Sequence, residues 1–583
     1  MSLLTLLAFT ANPRLLASQA TPRHLQYAIS FSSQGGTSGL DVVLGFTGDA
    51  DGVSRIALPS GLTAGAAYPN VTDVRATSPG TILADTDKPQ VKRLTYPPGK
   101  PVSVAYRVIV TDAGRQMDIS YSPEIEHDHF SILGFQIFAL PSGSADAPLA
   151  IQISWNSLPA GWTLADSYGV GQPRQAFPAT PDTLQQSVWA AGDYRLLNTQ
   201  IRGRSFFLAV RGRWPNSDRQ MLAAFSRIIG AERKFWHDDG IAYYLVVLKP
   251  SEGDIVGMGF TNSFYEAAPP ELGLDFVTEN TLAHEAFHAW LPHRITLAAP
   301  PGTYAWLYEG FTVYYARLFQ LRARLIPAAK YADDCNGVIR AYVSSPFRNI
   351  SGPQFRHEAE HGFSDYRGQQ IVYQRGDLLA QHWNAQIRLA SHGRYSLDDV
   401  MLDLLHLAQR ERRPLPVSDL VGVMRRYTHR DVSGDILRFT EQGATIPPDP
   451  AALGPCSSLT PTRTVLFDLG YSSSGSSHQG KITGVETASN AYRAGLRDGQ
   501  IYIDADFRNG DPAKEAHITV KDQGPQRVIS YYPAGRTALI PQYKINPGPL
   551  RPMCLSWFGV APSPAMSKRD DHRSEKTNPY ACP

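Results

Sequence analysis

Apolar and polar residues alternate through most of the first 165 positions. LQYAISF (25–31), LDVVLGF (40–46), VSVAYRVIV (102–110), FSILGFQIFAL (130–140) and LAIQISW (149–155) are separated by Gly, Pro, Asp and Asn. A period of two puts one set of side chains on one sheet face, so the pattern predicts an all-β domain of paired strands. A more mixed region follows and ends in IAYYLVVL (241–248), which predicts a long buried strand. From about 272 to 440 the spacing becomes helical, as in TYAWLYEGFTVYYARLFQLRARL (303–325) and DLLAQHWNAQIRLA (377–390). ATIPPDPAALGP (444–455) reads as a Pro-rich linker, and 460–547 returns to β character. YSSSGSSHQG (471–480) predicts an exposed loop, and SPAMSKRDDHRSEKTNPYACP (563–583) a loose polar end.

A chain of 583 residues is too long for one hydrophobic core, so several domains are expected. The expected boundaries are 1–20, 21–165, 166–443, 444–455, 456–550 and 551–583. With 43% hydrophobic and 19% charged residues the chain has the composition of a folded protein, not a disordered one. Its net charge, 55 − 53 = +2, gives no reason to expect nucleic acid or an anionic membrane as partner.

Cys335, Cys456, Cys554 and Cys582 form no C-x-x-C, which excludes a paired-thiolate zinc site and a thioredoxin-type motif. A Cys456–Cys554 disulfide would bracket the C-terminal region; free thiols are the equal alternative. The N-terminus, MSLLTLLAFTANPRLLASQA, holds an apolar run too short for a membrane span. Ser18-Gln19-Ala20 offers small residues for cleavage, although no positive charge precedes the apolar run. Residues 1–20 therefore read as an imperfect export signal, with a periplasmic or extracellular location expected and a cytoplasmic one the alternative. No other segment is apolar enough to cross a bilayer.

The strongest chemical signal is TLAHEAFHAW (281–290), in which His284-Glu285-Ala286-Phe287-His288 has the H-E-x-x-H spacing. Two histidines four apart lie on one helix face and can reach one ion, while the Glu between them can take a proton from an activated water. FRHEAEHGF (355–363) repeats the spacing at His357, Glu358 and His361. Context separates the copies. The first sits among Phe276, Leu282, Ala283, Ala286, Phe287 and Trp290, predicts a core helix stopped near Pro292, and is followed 21 residues after His288 by Glu309 on a second apolar helix. The second copy is polar, meets Gly362 at once, and reads as a charged surface turn or short helix. One zinc per chain is expected, at the first copy only.

His284 and His288 followed by Glu309 in a W-L-x-E-G-F-T-x-Y-Y context resemble the PDZ-containing glycyl-aminopeptidase family of thermolysin-like, glutamate-liganded (gluzincin) zinc metallopeptidases. AYVSSPFRNIS (341–351), VYQRGDLLAQHW (372–383), GRYSLDDVMLDLL (393–405) and AGLRDGQIY (494–502) resemble further family segments in order. The resemblance implies a multidomain α+β protein. It would comprise a β-rich first domain, a mainly helical catalytic domain at 166–443 and a PDZ-like β domain at 456–550. It also implies Zn2+ held by His284, His288 and Glu309, with Glu285 as general base and then proton donor to the leaving amine. Tyr373, by its place in VYQRG, would donate a hydrogen bond to the tetrahedral oxyanion. Peptides or proteins are the implied substrates, and FDLGY (467–471) is the candidate loop for a C-terminal peptide at the PDZ-like domain.

The chain departs from the family in three places. Arg375 stands where the family has Lys, and Gly499-Gln500 where the PDZ core reads Gly-Asp. In VGMGFTNSF (256–264), Gly259 and Phe260 occupy the places of a Glu-His pair that resembles the amine anchor of related aminopeptidases. Phe260 could still offer an ammonium its ring face, and Glu266 or Glu279 could replace the missing acid. Three readings stay open: a zinc peptidase hydrolysing peptide bonds with a metal-activated water, an endopeptidase without free-amine selectivity, and a non-catalytic scaffold that captures peptides through the PDZ-like domain.

Overall fold

A computed structural model describes residues 23–560 apart from 35, 62–67, 119–120, 143–147, 252–254, 275, 362, 364, 509, 523 and 547–551. The expected signal segment, most of the polar tail and Cys582 lie outside the described residues. The described residues form two compact units, one from those up to 298 with 405–415 and the other from those in 299–404 with 416 onward. No helix among the described residues is long and apolar enough to cross a membrane.

The first unit begins with a six-stranded sheet. Strand Arg23–Gln34 pairs antiparallel with Thr37–Thr47 and parallel with Leu149–Ser157. The alternation foreseen in the sequence is realised here. Leu25, Tyr27, Ile29, Val42 and Leu44 point into a core closed by Trp155 and Trp189. FSILGFQIFAL does not run as one strand. His129–Leu133 is extended, Gly134–Ile137 makes a single helical turn, and Leu140–Pro141 resumes pairing. The break has a distant cause and a local one. A Cβ on Gly134 would lie 2.1 Å from the Leu184 carbonyl oxygen, and the Gln136 side chain accepts a hydrogen bond from the Leu133 N–H at 3.0 Å.

Asp166 is wholly buried beside this core. It accepts hydrogen bonds from the Tyr168 N–H and the Gln175 amide, both at 2.8 Å, yet burial pushes its carboxyl up to about 7. Between its ordinary value of 3.8 and about 7 the folded chain holds a proton that the unfolded chain has released. Stability therefore falls as pH rises through that window. Asp166→Asn should remove the penalty: its amide can donate to the Gln175 oxygen once that side chain turns over, and that oxygen now has no partner. Urea unfolding should show the variant more stable at pH 8 by up to about 4 kcal/mol, with the gap closing toward pH 4. Equal midpoints at pH 8 would reject this account.

The unit then builds a five-stranded sheet in the order Arg195–Ile201, Arg204–Val210, Tyr243–Pro250, Ser263–Ala268, Val256–Gly259. Its three middle strands are parallel. The crossover between the first two of these is the helix Asp218–Trp236, which starts on a Ser217–Gln220 capping box. IAYYLVVL is thus a central strand, and VGMG forms the antiparallel edge. The motif helix Phe276–Phe287 packs on this edge strand and its neighbour.

In the second unit the glutamate helix Ala305–Arg322 lies against the tyrosine helix Ile371–Ala390. Their backbones touch where each carries a glycine. A Cβ on Gly376 would fall 1.7 Å from the Trp306 carbonyl oxygen, and one on Gly310 would fall 2.3 Å from the Gly376 Cα. A buried ion pair at 2.7 Å, from Arg317 to the Asp377 that follows Gly376, links the same two helices. Residues 444–455 are held in place: the Ile446 N–H donates to Tyr342 Oη at 3.0 Å, and Tyr543 Oη donates to the Asp449 carbonyl at 2.9 Å.

The C-terminal β region has a small core of its own, including Tyr471, Ile482, Leu496, Ile518, Val520 and Ile529. The ribbon of Ser457–Phe467 and Ala534–Ile545 is tied to the helix Ala328–Ser344 by two Asn336–Tyr543 hydrogen bonds of 2.7 and 2.9 Å. Cys456 and Cys554 are joined with Cα atoms 5.7 Å apart, and Cys335 is a buried free thiol. YSSSGSSHQG is not a plain loop. Ser472 caps a helix, Ser473–Gln479, by accepting from the Gly475 N–H, and Gly480 ends it at φ 64°.

Candidate metal centre

The motif helix ends at Phe287, one residue short of the expected second ligand. The chain then tightens: the Ala289 N–H donates to the Ala286 carbonyl at 3.1 Å and the Trp290 N–H to the Phe287 carbonyl at 3.0 Å. His288 sits in this turn, and both motif histidines still face one point. The Nε2 atoms of His284 and His288 are 3.2 Å apart, and the rings are perpendicular. His288 Nδ1 lies 2.8 Å from the Leu291 carbonyl oxygen. With Nδ1 as donor in that bond, the Nε2 lone pair is left to bind. Burial pushes His284 down to about 3, so this imidazole is neutral, the form that ligates. The turn after His288 is pinned in turn: Trp290 Nε1 donates to Asp238 at 2.9 Å, and Arg294 pairs with the same carboxylate.

Glu309 supplies the third donor. His284, His288 and Glu309 each offer one ligand atom, all within 4.8 Å of one another, and all three side chains are at most 4% exposed. Two imidazoles and a carboxylate are the donor set of a zinc site that keeps a coordination position open. Among the described residues no other His, Cys, Asp and Glu side chains converge in this way. The second H-E-x-x-H copy lies on the helix Gly352–His361 with His357, Glu360 and His361 exposed. There, His361 Nδ1 is 2.7 Å from its own helix's His357 carbonyl oxygen.

Glu285 is 5% exposed, and its Oε2 accepts a hydrogen bond of 2.9 Å from the Gly259 N–H. That donor was missed in the sequence. Tyr373, 4% exposed, stands in the first turn of the tyrosine helix, three residues before the Gly310–Gly376 contact that also fixes the residue after Glu309. Arg375 has a different duty: its Nη2 donates to the Arg348 carbonyl at 2.9 Å and to the Ile350 carbonyl, holding the AYVSSPFRNIS segment.

The departures at 259 and 260 look different in three dimensions. Val256, Met258 and Phe260 enter a core with Leu245, Val247 and Tyr265, so the Phe260 ring is spent on packing and offers no face to a ligand. Gly257 and Gly259 take the other side, toward the motif helix. Glu266 pairs with Gly257 across the sheet and is wholly buried; Glu279 is half-buried on the motif helix. At FDLGY, the Gly470 N–H donates to Asp468 Oδ1 and the Asp468 N–H to the Pro533 carbonyl, both at 2.9 Å.

Residues 278–378, which span the whole donor set and Tyr373, match the model of the M61 glycyl aminopeptidase family. Among curated proteins none matches in sequence. Among solved structures, the chain resembles an aminopeptidase N family protein from Idiomarina loihiensis, at 14% identity and a TM-score of 0.68 over 92% of this chain and all of that one. A lesser likeness, with a TM-score of 0.47 and 15% identity over 74% and 96% of the two chains, is to an M1 zinc metallopeptidase from Deinococcus radiodurans.

Proposed function

We propose that this chain, whose residues 278–378 match the M61 glycyl aminopeptidase family model, hydrolyses peptide bonds with one zinc ion held by His284, His288 and Glu309. The observation that carries this reading is the convergence of three buried donors beside a carboxylate that is not one of them. Zinc bound there would supply the Lewis acid that makes water nucleophilic near neutral pH. Glu285 takes the proton of the attacking water and delivers it to the leaving amine. The Tyr373 phenol donates to the developing oxyanion, a role that adds stabilisation without competing for the metal. A scaffold with a purely structural metal would have no use for Glu285, so the catalytic reading is preferred.

Selectivity for a free N-terminus is weak in this proposal. An α-ammonium is best recognised by a carboxylate near the metal, and such a site binds an uncharged terminus poorly because its own charge is left unpaired. Gly259 brings no side chain, Phe260 faces the opposite core, and Glu266 is wholly buried. Acetylated peptides should therefore be cut with kcat/KM within about tenfold of their free-amine counterparts, a difference below about 1.4 kcal/mol in transition-state binding. Matched substrates test this, and a preference of about a thousandfold or more for the free amine would restore an ordinary aminopeptidase.

A further inference from the structure

The geometry points to Gly259 as the positioning residue for Glu285, an assignment that rests on the reading of Glu285 as the general base. The edge strand alternates glycine with large apolar residues: Val256, Gly257, Met258, Gly259, Phe260. Alternation sends the large side chains into one core and leaves the other face bare. The motif helix fills that bare face. A Cβ at 257 would lie 2.7 Å from Thr281 Cγ2. One at 259 would lie 2.4 Å from the Glu285 carbonyl oxygen, 2.9 Å from its carbon and 3.0 Å from Oε2. Two of those three atoms are backbone and cannot turn aside. No residue but glycine fits at 259 while strand and helix keep this distance, and at this distance the Gly259 N–H reaches Glu285 Oε2 at 2.9 Å. An edge-strand amide, free of the sheet ladder on that side, thus sets the direction of the catalytic carboxylate.

Gly259→Ala should keep its zinc and a KM within about threefold of wild type, while kcat falls by about 10²-fold, the cost of displacing a reacting group by an ångström. A kcat within twofold of wild type, or a loss confined to KM, would overturn the assignment. A second measurement stands even if that variant does not fold. In zinc-loaded full-length protein, amide exchange in the 256–260 segment should accelerate by at least about tenfold at one site in Glu285→Ala. It should stay at the wild-type rate in Glu285→Gln, whose amide oxygen still accepts. Unchanged exchange in Glu285→Ala would refute the hydrogen bond. Should Glu285→Gln instead turn peptides over normally, the general-base reading fails, and the exchange result still judges the Gly259 contact by itself.

Discussion

Glu285→Gln protein should bind zinc like wild type and lose about 10²–10⁴-fold in turnover, the usual contribution of a general base. The substitution is close to isosteric. Its amide oxygen can take the hydrogen bond now made by the Gly259 N–H, so the contact between edge strand and motif helix is kept. Glu285 is not among the three converging donors, so metal content should not change. What is lost is a group able to accept the water proton and return it. The measurement pairs metal content with kcat on a peptide substrate. Hydrolysis at the wild-type rate with zinc in place would remove Glu285 from the chemistry.

Loss of metal is the second large effect. His288→Ala should abolish stoichiometric zinc, because two buried donors remain where three converge. The fall in affinity should exceed the roughly 10–100-fold typical for loss of an outer-shell partner. His357→Ala should leave zinc content untouched, since His357 is exposed on a polar helix and has no third donor among the described residues. Unchanged zinc in His288→Ala protein would sink the site.

The convergence of His284, His288 and Glu309 was legible because it is written in local spacing. A step of four positions from one histidine to the next, and a glutamate on the next strongly apolar helix, survive even though the motif helix stops at Phe287 and His288 rides on a tightened turn. Long alternating segments such as LDVVLGF were legible for the same reason. FSILGFQIFAL misled because its hydrophobicity suits a strand throughout, while the break depends on the Leu184 carbonyl, fifty residues on, crowding Gly134. The serine-rich run 471–480 misled because low complexity hides a capped helix. At 259 and 260 the missing carboxylate could be read directly. That Phe260 turns away, and that Gly259 donates a backbone bond to Glu285, depends on which face of an edge strand meets the motif helix, and no single window of sequence contains that.

The contact between Gly310 and Gly376 separates importance from chemistry. Glu309 and Tyr373 belong to different helices, yet each is within three residues of the one place where the two backbones touch. A methyl group at either glycine would push the helices apart and carry the carboxylate and the phenol away together. A mutational scan scored by activity alone would therefore rank these two positions with the proposed ligands and the proposed base. Neither glycine has a side chain to offer a substrate, and what they hold is the gauge between two parts of the machine.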